Sequence, residues 1–134
     1  IMEQVINSKI KEYQLEEFVT IMGAVPPEKI REYMKNAGIY LVTSNFQEGW
    51  GAVVNEAMNS GCAIVASHAV GSVPFLLKNK ENGLIYQNEN NEDIFEKVKY
   101  LINNPLKQKE FGIKAYETVL SVWNANVAAQ HFLN

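Results

Sequence analysis

Apolar residues recur along this chain in two alternating rhythms. Met2, Val5, Ile6, Ile10 and Tyr13 fall at helical spacing, which predicts an amphipathic helix over residues 2 to 13. Phe18-Val19-Thr20-Ile21-Met22 is a short run of β-favouring residues closed by Gly23, which predicts a buried strand. Pro26-Pro27 then opens a helix where a missing N–H costs little, with Ile30, Tyr33, Met34 and Ala37 on its inner face and Gly38 as its cap. A second strand is expected at Ile39 to Thr43, a loop from Ser44 to Gly51, and a helix from Ala52 to Asn59 stopped by Gly61. Cys62 to Ala66 reads as a third strand, Ser67 to Gly71 as a loop, Val73 to Leu77 as a short helix and Gly83 to Tyr86 as a fourth strand. Asn90 is placed to cap a helix whose Ile94, Phe95, Val98, Leu101 and Ile102 keep the 3.6-residue period. Asn104-Pro105 ends it, and residues 106 to 132 read as one or two closing helices broken near Trp123-Asn124.

Strands that are apolar throughout, alternating with helices, predict an α/β fold: a Rossmann-like, doubly wound parallel sheet with helices on both faces. Four strands are few for that architecture. The expectation is therefore a sheet truncated at its N-terminal edge, with one or two strands upstream of Ile1, and a single domain spanning residues 1–134. The start on Ile1, at what reads as a helix, points the same way.

Composition narrows the chemistry. A formal net charge of −3 gives no electrostatic case for nucleic acid. Lys78, Lys80, Lys97, Lys99, Lys107 and Lys109 read as solvated faces, because no aromatic stacking platform is interleaved with them. The single cysteine, Cys62, excludes an internal disulfide, fits a reducing compartment and reads as a small apolar filler. No charged and apolar leader opens the chain, and no run reaches the roughly 18 apolar residues of a membrane span. The single cysteine fits a cytoplasmic location, which no targeting signal sets, and peripheral association at the inner face of a membrane would come only through another domain. Asp93 is the sole aspartate, Arg31 the sole arginine, and His68 and His131 the only histidines. That inventory offers neither paired aspartates for magnesium nor a close cluster for zinc, so no metal is expected. His68 reads as a solvated loop residue beside the supposed site, with a polar ligand contact as the alternative.

In an open parallel sheet, ligands bind beyond the carboxyl ends of the strands, where loops lead into helices. The richest such loop is Thr43-Ser44-Asn45-Phe46-Gln47-Glu48-Gly49-Trp50-Gly51, feeding the helix that carries Glu56. Gly49 and Gly51 allow close backbone approach, and the free N–H groups at the helix start favour an anion. Trp50 reads either as a plug of that loop or as a sugar contact.

The stretch from Glu48 to Met58 resembles the Glu-x7-Glu signature of retaining GT-B glycosyltransferases, specifically the large family 4 group. The resemblance continues on both sides. Gly23-Ala24-Val25-Pro26 and Ala37 to Ser44 look like the approach to the signature. Ser60 to Ser67 and Glu81-Asn82-Gly83-Leu84-Ile85 look like the family's "G-x-P-V-I-A-S" and "N-G-L-L" strands, and Trp123-Asn124 like its closing Trp. The resemblance implies half of a GT-B fold, the C-terminal, donor-binding domain. It implies that Glu48, Gly49, Trp50 and Gly51 hold the donor sugar, with Glu48 in the catalytic role. It further implies that Ala52 and Val53 bind the diphosphate, Glu56 the ribose and Val25 the nucleobase. The substrate implied is a UDP-, GDP- or ADP-linked sugar, transferred with retention and without a metal cofactor to a sugar or lipid-linked acceptor.

Departures from the pattern bear on that expectation. The family's "G-G-x-P-E" reads Gly71-Ser72-Val73-Pro74-Phe75, so an aromatic residue replaces the customary glutamate. The family's basic diphosphate ligands belong to a Gly-Arg … Lys-Gly segment that this chain does not contain, nor does it contain the acceptor-binding N-terminal domain. The isolated chain is therefore expected to be inactive. Two alternatives stay open: a non-catalytic nucleotide-sugar-binding module, and another GT-B enzyme such as a sugar-nucleotide epimerase.

Overall fold

The computed structural model describes residues 2–133. Ten elements follow one another: α1 (Met2–Glu12), α2 (Pro27–Asn36), β1 (Ile39–Val42), α3 (Ala52–Asn59), β2 (Ala63–Ser67), α4 (Val73–Leu76), β3 (Leu84–Tyr86), α5 (Asn91–Asn103), α6 (Pro105–Ser121) and α7 (Ala125–Leu133). The strands form one parallel sheet in the order β1-β2-β3, with Ile39 opposite Ala63 and Val65 opposite Leu84.

β2 lies at the centre, and all five of its residues are buried. Because successive side chains in a strand point to opposite faces, β2 feeds two cores. Ile64 and Ala66 join Val54, Ala57 and Met58 of α3, Leu76 of α4 and Val119 of α6. Ala63 and Val65 join Leu84 and Tyr86 of β3, Leu101 of α5 and Phe111 of α6. Helices thus cover both faces, as an apolar parallel sheet requires.

The helix starts follow local chemistry. The Asn90 side chain accepts the Asp93 N–H at 2.9 Å and caps α5 as expected. Pro105, which ends α5, is the first residue of α6. Asn124 Oδ1 accepts the N–H groups of Asn126 and Val127 at 3.0 and 3.1 Å, which separates α6 from α7. Ala37, rather than Gly38, caps the end of α2.

The strand expected at Phe18 to Met22 does not form, so the sheet has three strands among the described residues instead of four. The N–H groups of Phe18 and Val19 both turn back to the Leu15 carbonyl, and Phe18 is 80% exposed. A strand needs a neighbour to take its N–H and C=O groups, and none of the described strands lies beside this run. The helix expected over residues 2 to 13 does form, but of its apolar face only Ile10 is buried, while Met2, Val5 and Ile6 remain exposed. Among the described residues, no helix is long and apolar enough to cross a membrane.

Candidate functional site

The carboxyl end of β1 delivers the loop 43–51, and the fold holds this loop from behind. Within it, Asn45 Oδ1 accepts the Gln47 N–H at 2.9 Å, and the Glu48 N–H donates to the Asn45 carbonyl at 3.0 Å. The turn that follows β2 then takes up three successive carbonyls. The Gly71 N–H donates to Gly49 O at 3.1 Å, the Ser72 N–H to Trp50 O at 2.9 Å, and the Ser72 hydroxyl to Gly51 O at 3.4 Å. Two glycines make this approach possible. Gly51 sits at φ 72°, in the left-handed region, and turns the chain into α3. A Cβ on Gly71 would lie 2.3 Å from the Gly49 carbonyl oxygen.

The turn into α3 leaves the helix start open. The Val54 N–H bonds to Gly51 O at 3.0 Å, whereas the amides of Ala52 and Val53 belong to the first turn, which has no helical acceptors. Both residues are exposed, as are Gly49 and Trp50. An anion placed against these amides would also meet the positive end of the helix dipole, worth about 0.3–1 kcal/mol per charge.

The two glutamates of the motif open on different hollows. Glu48 lines a small polar one of about 340 Å³ with Thr43, Ser44, Asn45 and Gln47. Glu56 lines a groove of about 490 Å³ between α2 and α3, with Pro27, Ile30, Arg31, Asn59 and Ser60. The chain's one arginine therefore shares a groove with the second glutamate, a juxtaposition that the sequence spacing did not show. Beneath it, the Tyr40 phenol is pushed above its ordinary value, first by burial and then by the nearby charge of Glu56. Val25 is half-buried, two residues ahead of the Pro27 that lines the groove.

Trp50 is in contact with two further aromatic rings, Phe75 at 5.7 Å and Trp123 at 5.8 Å between centroids. His68 ties two loops together, since its Nδ1 accepts the Asn88 N–H at 3.0 Å and its ring meets Phe46 edge-on at 5.3 Å. Cys62 is buried with its thiol donating to the Met34 carbonyl at 2.8 Å, and burial pushes the thiol's pKa up. Among the described residues, no group of three or more His, Cys, Asp or Glu converges.

The structure thus brings Gly49, Trp50, Gly51, Ala52 and Val53 together on one clamped turn, flanked by Glu48 on one side and Glu56 with Arg31 on the other. The family model for glycosyl transferases group 1 matches residues 2–118. This chain belongs to that family.

A poly(ribitol-phosphate) alpha-N-acetylglucosaminyltransferase of Staphylococcus aureus is 28% identical over 130 residues, which is 96% of this chain and 26% of the relative. The crystal structure of the C-terminal domain of a group 1 glycosyl transferase from Francisella tularensis superposes with a TM-score of 0.84 at 23% identity, covering 92% of this chain and 63% of that one. An Anabaena protein crystallised with UDP superposes at 0.86 with 20% identity, over 97% of this chain and 35% of that one. The group 1 domain described above has the fold of a GT-B C-terminal half, and it spans about a quarter of the length of the S. aureus relative.

Proposed function

We propose that this group 1 chain is the donor-binding part of a retaining glycosyltransferase that uses a nucleotide-diphosphate sugar and no metal. The observation that carries the reading is the clamped Gly49–Gly51 turn, which presents the start of α3 between two hollows, each holding one glutamate.

In this reading Glu48 and the amides of Gly49, Trp50 and Gly51 hold the hydroxyls of the donor sugar. The amides of Ala52 and Val53, with the dipole of α3, hold the diphosphate and supply the charge stabilisation a metal would otherwise give. Glu56 accepts the ribose hydroxyls, a charge-assisted bond of roughly 1.5–3 kcal/mol, and the chain at Val25 meets the base. In the transfer, the bond from the anomeric carbon to the diphosphate oxygen breaks and its electron pair leaves with the phosphate. The acceptor oxygen bonds to the same carbon on the same face, and its proton passes to the departing diphosphate. Retention follows from that geometry. The acceptor, a sugar or a lipid-linked glycan, would be held by a domain outside this chain.

UDP, the nucleotide in the Anabaena structure, is the first to try, followed by GDP and ADP with their sugars. A backbone-amide NMR titration should show shifts converging on Val25, Gly49 to Val53 and Glu56 for one base. In Glu56→Ala those shifts should require a several-fold higher nucleotide concentration. Silence of these amides towards every nucleotide, in this chain and in the longer protein alike, would overturn the reading.

A further inference from the structure

A further hollow lies away from both glutamates. It is a cleft of about 650 Å³ between α4 and the C-terminal half of α6, within the roughly 300–1,000 Å³ of small-ligand sites. Phe75 and Trp123 form its aromatic wall, and Glu117, Thr118, Ser121 and Lys78 stand among its polar groups. We propose that this cleft is a second saccharide subsite that takes a neutral sugar ring of the glycan chain away from its reacting end, which a domain outside this chain would hold. The choice of a sugar over another polyhydroxy compound rests on the donor-site reading.

Three observations carry the proposal. First, Phe75, 62% exposed, lines the cleft with Trp123, so two aromatic rings face one hollow. The face of an aromatic ring is electron-rich, so it attracts the partially positive C–H face of a sugar while excluding water from it. Second, the cleft is preformed. Asn82 Nδ2 donates to Leu76 O at 3.0 Å and to Thr118 Oγ1 at 3.1 Å, and Asn82 Oδ1 accepts the Lys78 N–H at 2.7 Å, which ties α4 to α6. Third, the charges suit a neutral ligand. Lys78 pairs with Glu81 and Lys114 with Glu110, which leaves the Glu117 carboxylate without an ion-pair partner among the described residues and ready to accept hydrogen bonds from hydroxyls. The wall also continues into the donor loop, because Trp50 touches both Phe75 and Trp123.

Trp123 lines the cleft and Trp50 touches its wall, so tryptophan emission responds to it, and variants of cleft residues separate that response from a sugar held at the donor loop. Glucose, N-acetylglucosamine and maltose, titrated to about 100 mM into the intact chain, should produce a saturable emission change with a millimolar midpoint. Phe75→Ala, at an exposed position, should weaken the response about tenfold, the upper end of what an aromatic contact supplies. Glu117→Gln should weaken it several-fold. No saturable change with any of the three sugars, or an equal response in Phe75→Ala, overturns the subsite. Nucleotide shifts at Gly49 to Val53 are read separately by NMR, so failure of the donor reading and failure of the subsite give different records.

Discussion

Two irregular segments of this domain carry aromatic and apolar residues to the surface, and they differ in what stands behind them. Residues 13–26 expose Phe18, Val19, Ile21 and Met22, and their backbone contacts are local turns such as those from Phe18 and Val19 to Leu15. Residues 43–51 expose Phe46 and Trp50, but the carbonyls of Gly49, Trp50 and Gly51 are held by Gly71 and Ser72, far along the chain. An irregular segment becomes a site when distant backbone donors fix it. Apolar composition alone gives it only the capacity to be covered. Amide hydrogen exchange reads this difference directly: Gly71 and Ser72 should be protected to the level of β2, while Ile21 and Met22 exchange close to the unfolded rate.

The largest effect should come from the support behind the clamped loop. Ile64 is fully buried in β2, the strand that leads into the 67–72 turn. Ile64→Ala should cost about 2–5 kcal/mol in urea unfolding, from lost transfer energy plus the cavity left behind. Phe18→Ala, although it removes a larger side chain, should stay within about 0.5 kcal/mol. A Phe18→Ala loss comparable to that of Ile64→Ala would end the distinction between the two segments.

Next in size is the clamp. Gly71→Ala places a methyl group against the Gly49 carbonyl, at a distance that real contacts do not show, so the loop must move. A stability loss of about 1–3 kcal/mol is expected, together with weaker nucleotide shifts at Gly49 to Val53. Unchanged shifts in Gly71→Ala would mean that the turn packs against the loop without positioning it.

What could be read from the sequence divides along the same line. α3 was legible to the residue, because Gly51 and Gly61 bracket an apolar helix whose punctuation is local. α5 and the break between α6 and α7 were legible for the same reason, through Asn90, Pro105 and Asn124. The Phe18–Met22 run failed because a strand's existence depends on a neighbour, which periodicity does not report. The motif spacing put Glu48 and Glu56 near one helix start, but not in separate hollows, since that depends on the left-handed turn at Gly51 and on where α2 packs. Gly71 and Ser72 were visible only as part of a family-like segment; their hydrogen bonds to residues twenty or so positions earlier are tertiary and leave no local signal.

A smaller effect tests local capping away from both segments. Asn90→Ala removes the bond to the Asp93 N–H and should cost about 1 kcal/mol. Because α5 covers the face of the sheet that carries Ala63 and Val65, the nucleotide shifts at loop 43–51 should persist.

The smallest effect is a pH dependence at the same helix start. The Asp93 carboxylate is bonded by Lys97 and accepts the Gln87 N–H at 2.7 Å, and these contacts, with Lys97 first, hold its pKa below the ordinary 3.8. The folded state therefore binds fewer protons than the unfolded chain between the two pKa values. The stabilisation is fully present above the unfolded value and is lost as pH falls through the folded one, so the window lies below about pH 4. Asp93→Asn keeps the shape and removes the charge. Its urea midpoint should fall slightly below that of the parent at pH 7 and converge with it towards pH 2. A gap that stays constant over that range would assign the contribution of Asp93 to hydrogen-bond geometry and not to its charge.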